Sequence, residues 1–94
     1  MPGEEFSSQM GRELRAAADE VIAEIKDGVS RSCYLKRVIR MEWQVDFEYT
    51  FPWGGWQLLP PLIIEEPYPF VPARELSKNK MRRHLLANPP KTKE

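Results

Sequence analysis

Three acidic side chains spaced two and four residues apart are the first candidates for chemistry in this chain. Glu42, Asp46 and Glu48 would share one face of a β-strand, where neighbouring carboxylates can hold a cation or exchange a proton. Lys36 and Arg40 fall on the same face, so cross-strand charge pairing is the favoured interpretation. We therefore predict no metal site, and we expect the protein not to be an enzyme.

The only residues that suggest a nucleophile and its base are Cys33 and His84. His84 has no acid near it in the sequence that would orient its ring. Cys33 is the single cysteine, which excludes an internal disulfide and predicts a small buried side chain. Gly54-Gly55 follows a strand and opens no helix, unlike a phosphate-binding loop. We expect no cofactor.

A basic cluster near the carboxyl end is the candidate for RNA or single-stranded nucleic-acid binding, with exposed Trp and Tyr as stacking platforms. Its members are Lys78, Lys80, Arg82 and Arg83. The order of helix, strands and basic helix, with Ser77-Lys78-Asn79-Lys80 near the last helix start, is similar to double-stranded-RNA-binding domains. That family has a third strand where this chain is proline-rich, so the chain is not assigned to it. The alternative is a solvated face or a docking surface for an acidic protein.

The segment Tyr68-Pro69-Phe70-Val71-Pro72-Ala73-Arg74 combines regularly spaced prolines with an arginine. It resembles one orientation of an SH3-domain ligand, in which prolines fill aromatic grooves and the arginine reaches an acidic pocket. The bulky Tyr68 and Phe70 favour a second interpretation, as anchors in the core or in a partner's groove.

The composition limits the chain to one small domain. Its 94 residues carry 14 bases and 14 acids, so no net field attracts nucleic acid or an anionic membrane. Acids dominate residues 1–27 and bases dominate residues 73–94. No apolar run approaches the roughly 18 residues of a membrane-spanning helix, and no secretory signal is recognisable. We expect an intracellular, cytoplasmic protein, with the nucleus left open.

The elements that position these residues follow from hydrophobic spacing. Apolar side chains recur three and four residues apart in residues 5–27, which predicts an amphipathic helix that stops at Gly28. Apolar and polar side chains alternate in residues 33–51, which predicts a β-strand with one dry face. A two-residue hairpin loop inside it would reverse the alternation and is disfavoured. Arg37, beside Val38, marks a bulge or break.

Pro52-Trp53-Gly54-Gly55 is the predicted turn into a second strand, residues 56–64. With these four residues as the loop, apolar side chains face one another across the two strands. The predicted pairs are Phe51 with Trp56, Tyr49 with Leu58, Phe47 with Pro60, Val45 with Leu62 and Trp43 with Ile64.

The same register places Leu59, Pro61 and Ile63 in an apolar row on the opposite face. This row is either covered by residues 67–72 of the chain or offered to a partner that pairs with the strand edge. Pro60 and Pro61 place the second strand at a sheet edge or interrupt it.

Together these patterns predict an α+β fold in one domain, residues 1–94. An amphipathic helix (5–27) packs on a twisted antiparallel hairpin (33–51 with 56–64). A proline-rich extended arm (65–72), a short basic helix (73–87) and a flexible tail (88–94) follow. The predicted function is a small non-enzymatic protein-binding module: an inhibitor, an adaptor, or a subunit of a larger assembly or homo-oligomer. Its expected contact residues are Trp53, Leu59, Ile63, Tyr68, Phe70 and Arg74.

Overall fold

The order of elements is helix, four strands, helix. A computed structural model of the protein describes residues 9–39, 42–65 and 73–91. Its elements are α1 (Gln9–Glu24), β1 (Ser30–Ile39), β2 (Glu42–Thr50), β3 (Trp56–Leu58), β4 (Leu62–Glu65) and α2 (Ala73–Ala87). Both helices pack on one face of an antiparallel sheet and share a core with it, so the predicted α+β class is confirmed.

The central strand of the sheet is β2. It pairs with β1 along one edge, and with β3 and then β4 along the other. Its side chains Trp43, Val45, Phe47 and Tyr49 are fully buried. Burying a large apolar side chain contributes about 1.5–3 kcal/mol, so this row supplies much of the core. We call the face that carries it the inner face and the opposite face the outer face.

The predicted continuous strand over residues 33–51 is wrong, because the chain reverses between Ile39 and Glu42 to form a hairpin of β1 and β2. Arg37 lies opposite Trp43, whereas Ile39 lies opposite Glu42, so Val38 is an extra residue in a β-bulge. A two-residue loop alone would pair odd-numbered residues of one strand with even-numbered residues of the other. The extra residue restores the pairing of odd-numbered with odd-numbered residues. Up to the bulge, odd-numbered residues therefore face the core on both strands, whereas Ile39, opposite Glu42, faces outward and is 59% exposed.

Two arginines of β1 keep inner-face positions although they interrupt the apolar pattern. The guanidinium of Arg37 lies 4.8 Å from the centre of the Trp43 ring, and that of Arg31 lies 4.7 Å from the Tyr49 ring. A cation over an aromatic face is attracted by the ring quadrupole. These contacts let the edge strand carry charged residues where the aromatic core ends.

The predicted pairing of the second hairpin is correct for β4 and wrong by one residue for β3. Val45 pairs with Leu62, as predicted, but Thr50 pairs with Trp56 and Glu48 with Leu58. The loop is tied by hydrogen bonds from Phe51 N to Gly55 O (3.1 Å) and from Gly54 N to Phe51 O (3.0 Å). Gly54 and Gly55 have φ values of 98° and 89°, a region that favours glycine.

The register changes at residues 59–61, between β3 and β4. The Leu59 amide donates to the Phe47 carbonyl (3.0 Å), and the next two residues, Pro60 and Pro61, have no amide hydrogen to continue the ladder. As a result, Leu58 points outward and is 58% exposed, whereas Leu59 points into the core and is 3% exposed.

The first helix is shorter than predicted. It ends at Glu24, and the predicted residues 5–8 lie outside the described part of the chain. Asp27 Oδ1 accepts a hydrogen bond from the Val29 amide (3.1 Å), so the side chain of Asp27 organises a turn after the helix. Gly28, with φ 81°, belongs to this turn and is not the helix stop that the sequence predicted.

The two helices fill the inner side of the sheet. α1 contributes Leu14, Ala17 and Val21 to the core, and α2 contributes Met81 and Leu85. The small side chain at position 17 is fully buried, which allows a close approach between layers. Within the described ranges, neither helix is long and apolar enough to cross a bilayer.

The predicted flexible tail is wrong for residues 88–91, which are hydrogen-bonded to the sheet. Tyr49 Oη donates to the Asn88 carbonyl (2.6 Å), and the Lys91 amide donates to Gln57 Oε1 (2.9 Å). These contacts hold the chain after α2 against β2 and β3. The predicted arm, apart from Glu65 at the end of β4, and residues 92–94 lie outside the described part.

Alanine substitutions at two adjacent leucines test the observed register. Leu59→Ala removes a buried side chain and should lower the free energy of unfolding by about 2–4 kcal/mol. Leu58→Ala removes an exposed one and should change it by less than about 0.5 kcal/mol. Urea unfolding followed by tryptophan fluorescence measures both. Greater sensitivity at Leu58 than at Leu59 would support the pairing of Tyr49 with Leu58 instead.

Candidate functional site

The outer face of the sheet carries large apolar side chains that the described helices do not cover. Tyr34 on β1 is 56% exposed, Trp56 and Leu58 on β3 are 67% and 58% exposed, and Ile63 on β4 is 45% exposed. Both helices lie on the inner face, so these side chains contact solvent. The polar side chains of β2 lie between Tyr34 and the apolar side chains of β3 and β4, so the exposed apolar groups flank a polar row.

Carboxylates lie among these apolar side chains on the outer face. They are Glu42, Asp46 and Glu48 on β2 and Glu65 on β4, and one lysine, Lys36, shares the face. Glu42 and Glu65 are direct partners in the ladder, and like charges placed opposite one another destabilise a sheet. The outer face is therefore both apolar and acidic.

Neutral groups make the contacts seen for two of these acids. Gln44 Nε2 donates to both carboxylate oxygens of Asp46 (3.0 Å each), and Tyr34 Oη lies 3.5 Å from Glu48 Oε1. The charge pairing with Lys36 that the sequence favoured is not seen for Asp46 or Glu48. In the described ranges, no three side chains are grouped so as to hold a metal ion.

A row of ion pairs joins the two helices, which run in the same direction. Its bases on α2 are Arg74, Lys78 and Arg82, and its acids on α1 are Glu13, Glu20 and Glu24. The bases are spaced by four residues and therefore share one side of α2. The opposite charges at the two ends of the sequence thus meet within one chain.

The ion pair with the best geometry in this row joins Arg82 and Glu24. Arg82 donates from Nε to Oε1 (2.9 Å) and from Nη2 to Oε2 (2.7 Å), a bidentate geometry. These hydrogen bonds lower the pKa of Glu24 and raise the pKa of Arg82. A hydrogen bond to Glu20 likewise raises the pKa of Lys78, whose side chain is only 12% exposed.

The outward-facing side of α2 combines the remaining bases with apolar side chains. Leu76, Lys80 and Arg83 are spaced by four and three residues and lie on one side of the helix, with Leu86 next to them. Leu76 and Leu86 are 42% and 80% exposed. Lys80 and Arg83 are exposed and make no ion pair with the described residues.

A buried arginine stands where β1 begins. Arg31 donates from Nη1 and Nη2 to the two oxygens of Asp27 (2.8 Å each), and its side chain is 4% exposed. The hydrogen bonds from Arg31 lower the pKa of Asp27 to about 2, and the same pair raises the pKa of Arg31. Burial raises the pKa of Tyr49, whose ring lies under Arg31. Arg31 Nε is buried, and no described residue forms a hydrogen bond with it.

A groove of about 430 Å³ lies beside this arginine, between the carboxyl ends of the helices. Its walls are mostly apolar and are formed by Val21, Ile25, Leu85, Leu86, Pro89 and Pro90. The pairs Asp27–Arg31 and Glu24–Arg82 border it. Since both pairs are internally neutralised, the groove presents no unpaired charge that would select a ligand.

The structure separates the predicted contact residues. Ile63 lies on the outer face, and Trp53 lies in the turn, 42% exposed and stacked on Phe51 at 5.0 Å. The prediction for Leu59 is wrong, because the register change buries it. Arg74 pairs with Glu13 (3.3 Å) and Glu20 (3.7 Å). Tyr68 and Phe70 lie outside the described residues.

Two residues that the sequence placed in the core lie on the outer face instead. They are Trp56 and Leu58. Both were placed inward because a four-residue loop, 52–55, pairs Phe51 with Trp56, whereas the loop has five residues, 51–55, and Thr50 pairs with Trp56. The adjacent Pro60 and Pro61 were the available signal, since a strand that loses two donors can change register there.

The single histidine has a structural contact. His84 Nε2 lies 2.8 Å from the carbonyl oxygen of Pro60, which can only accept a hydrogen bond, so Nε2 is the donor. The ring also lies 6.5 Å from that of Phe47. His84 therefore connects α2 to the segment between β3 and β4. Among the described residues, no acid forms a hydrogen bond with its ring.

Known proteins give no further guidance on the site. The chain matches no protein-family model, no curated protein and no solved structure.

The Asp27–Arg31 pair predicts a stability change at acid pH. Because the folded state lowers the pKa of Asp27 to about 2, the pair stabilises the protein above about pH 4. That contribution is lost as the pH falls from about 4 to about 2. Asp27→Asn should cost about 1–3 kcal/mol at pH 7, between the values for exposed and buried pairs.

Urea unfolding at a series of pH values measures this effect. The difference between wild type and Asp27→Asn should shrink below about pH 4. Asp19→Asn is the control, because Asp19 is 65% exposed and its partner Arg15 is 4.0 Å away. A difference between wild type and Asp27→Asn that stays constant down to pH 2 would contradict the assignment.

Proposed function

We propose that this chain is a non-enzymatic, intracellular protein-binding module that acts through the outer face of its sheet. The observation that carries the proposal is the exposure of Tyr34, Trp56, Leu58 and Ile63 on that face. Tyr and Trp are enriched among the few residues that supply most of the binding energy of protein interfaces. The inner face is occupied by the helices, so the outer face is the side of the sheet on which a partner can pack.

The contact residues of the proposal differ from those predicted from the sequence alone. Trp56, Leu58 and Tyr34 join Ile63 at the site, and Leu59 is removed because it belongs to the core. Trp53 lies at the end of the same hairpin, where it can extend the interface. Tyr68 and Phe70 stay predictions of additional contacts.

RNA or single-stranded nucleic-acid binding is the alternative, and the charges of the described residues support it less well. Lys78 and Arg82 are paired with acids of α1, which leaves Lys80 and Arg83 to contact phosphates. Each phosphate contact on duplex nucleic acid contributes about −0.9 to the slope of log K against log salt. Tyr34 and Trp56, which could stack on bases, share the outer face with carboxylates that would repel a phosphate backbone.

Affinity capture with matched variants tests the protein-binding proposal. Leu58→Asp should abolish binding of a partner protein from an extract of the native source, because it puts a charge in the apolar contact area. Ala23→Asp, at an exposed position of α1, is the control and should retain the partner. Quantitative mass spectrometry compares the captured proteins. The proposal is wrong if every protein bound by wild type is also bound by Leu58→Asp.

A salt titration with duplex RNA tests the alternative. Two available bases predict a slope near about −1.8, whereas four would give about −3.6. Fluorescence anisotropy should therefore show weak binding to labelled RNA, reduced further by the change of both Lys80 and Arg83 to Ala. Tight binding with a slope near the larger value would instead require Lys78 and Arg82 to leave their acidic partners.

A further inference from the structure

We infer that the outer face of the sheet binds the outward-facing side of α2 from a second copy of this chain. The inference rests on the proposed function, because it names the occupant of the same face. α2 packs on the inner face by Met81 and Leu85, and Lys80 and Arg83 border the β4 edge beside Leu62 and His84. Within one chain the sheet separates these bases from the acids of the outer face, and they make no ion pair with the described ones.

The first argument is complementary charge. The outer face carries Glu42, Asp46, Glu48 and Glu65, and the outward-facing side of α2 carries Lys80 and Arg83. Neither base makes an ion pair with the described residues of its own chain.

The second argument is the arrangement of apolar side chains around these charges. On α2, Leu76 and Leu86 lie on either side of the two bases along the helix, and both are exposed. On the sheet, Leu58 and Ile63 lie beside the acids of β2, on the neighbouring strands. A helix docked here buries apolar side chains at the same time as it pairs charges, as stable interfaces require.

The third argument is dimension. α2 has 15 residues and is about 22 Å long, and β2 has 9 residues and is about 30 Å long. Lys80 and Arg83 are neighbours on the helix, about 5–6 Å apart at Cβ. Asp46 and Glu48 are about 7 Å apart along the strand. Both bases can therefore meet both acids at once.

A symmetric contact between two outer faces is disfavoured, because it would place the acids of one copy against the acids of the other. The contact we infer joins two different surfaces, so an open assembly retains an unused outer face at one end and an unused α2 surface at the other. Such head-to-tail contacts form chains that grow with concentration, or rings if the geometry closes.

Sedimentation velocity on the full chain tests the inference. The weight-average mass should exceed the monomer mass of 11.0 kDa and rise with protein concentration. It should fall when salt is raised from about 0.1 M to about 1 M, where the Debye length drops from about 10 Å to about 3 Å. Circular dichroism checks that every variant remains folded.

Charge reversal locates the contact. A sheet variant (Asp46→Lys with Glu48→Lys) and a helix variant (Lys80→Glu with Arg83→Glu) should each lower the association constant by about tenfold or more. The chain that carries all four changes should associate again, as should an equimolar mixture of the two variants. The single variants Asp19→Lys and Lys26→Glu reverse exposed charges elsewhere and should associate like wild type.

Several results would overturn the inference. One is a wild-type protein that stays monomeric at every concentration, and another is a folded four-change chain that fails to associate. Retention of wild-type association by either double variant would also contradict it. If wild type is monomeric but Leu58→Asp loses a captured partner, the proposed function stands and the second copy is the wrong occupant.

Discussion

The burial of one face of β2 is the constraint on which the rest of the structure depends. Trp43, Val45, Phe47 and Tyr49 lie on consecutive inward positions of this strand, and all four are inaccessible to solvent. A strand with such a row needs neighbours on both edges and a layer above it. β1 and the pair β3 and β4 occupy the edges, and α1 and α2 form the layer. With both helices used there, the outer face has no described layer of its own.

Much of this architecture could be predicted because the alternation of apolar residues depends on local geometry. Apolar residues at every second position identified the buried face of the strands, and apolar residues three and four positions apart identified α1. Register is less predictable, since one extra residue on a strand changes every later pair. The bulge at Val38 preserved parity through the first hairpin, so the pattern looked like one strand. The register shift at Pro60 and Pro61 means that odd-numbered residues face the core on β3 and even-numbered residues face it on β4. Leu59 is therefore buried and Leu58 exposed, the reverse of the prediction.

The distribution of charge could be predicted from the sequence, but the pairing of charges could not. The acidic first part and the basic last part were evident, but spacing alone did not show that Lys78 and Arg82 face Glu20 and Glu24. That pairing depends on two helices lying side by side in the same direction, which is a tertiary property. It divides the basic helix into a side that stabilises the fold and a side that is available for binding. Lys80 and Arg83 lie on the available side.

The common direction of α1 and α2 also has an electrostatic consequence at their carboxyl ends. Each helix dipole leaves about half a negative charge at that end, and two helices in the same direction place these charges together. Antiparallel helices would partly cancel them. Arg82 lies five residues before the end of α2, and Arg31 lies seven residues after the end of α1. Both guanidinium groups border the groove between the carboxyl ends, so their positive charges offset the acids they bind and the partial negative charge of the helix ends.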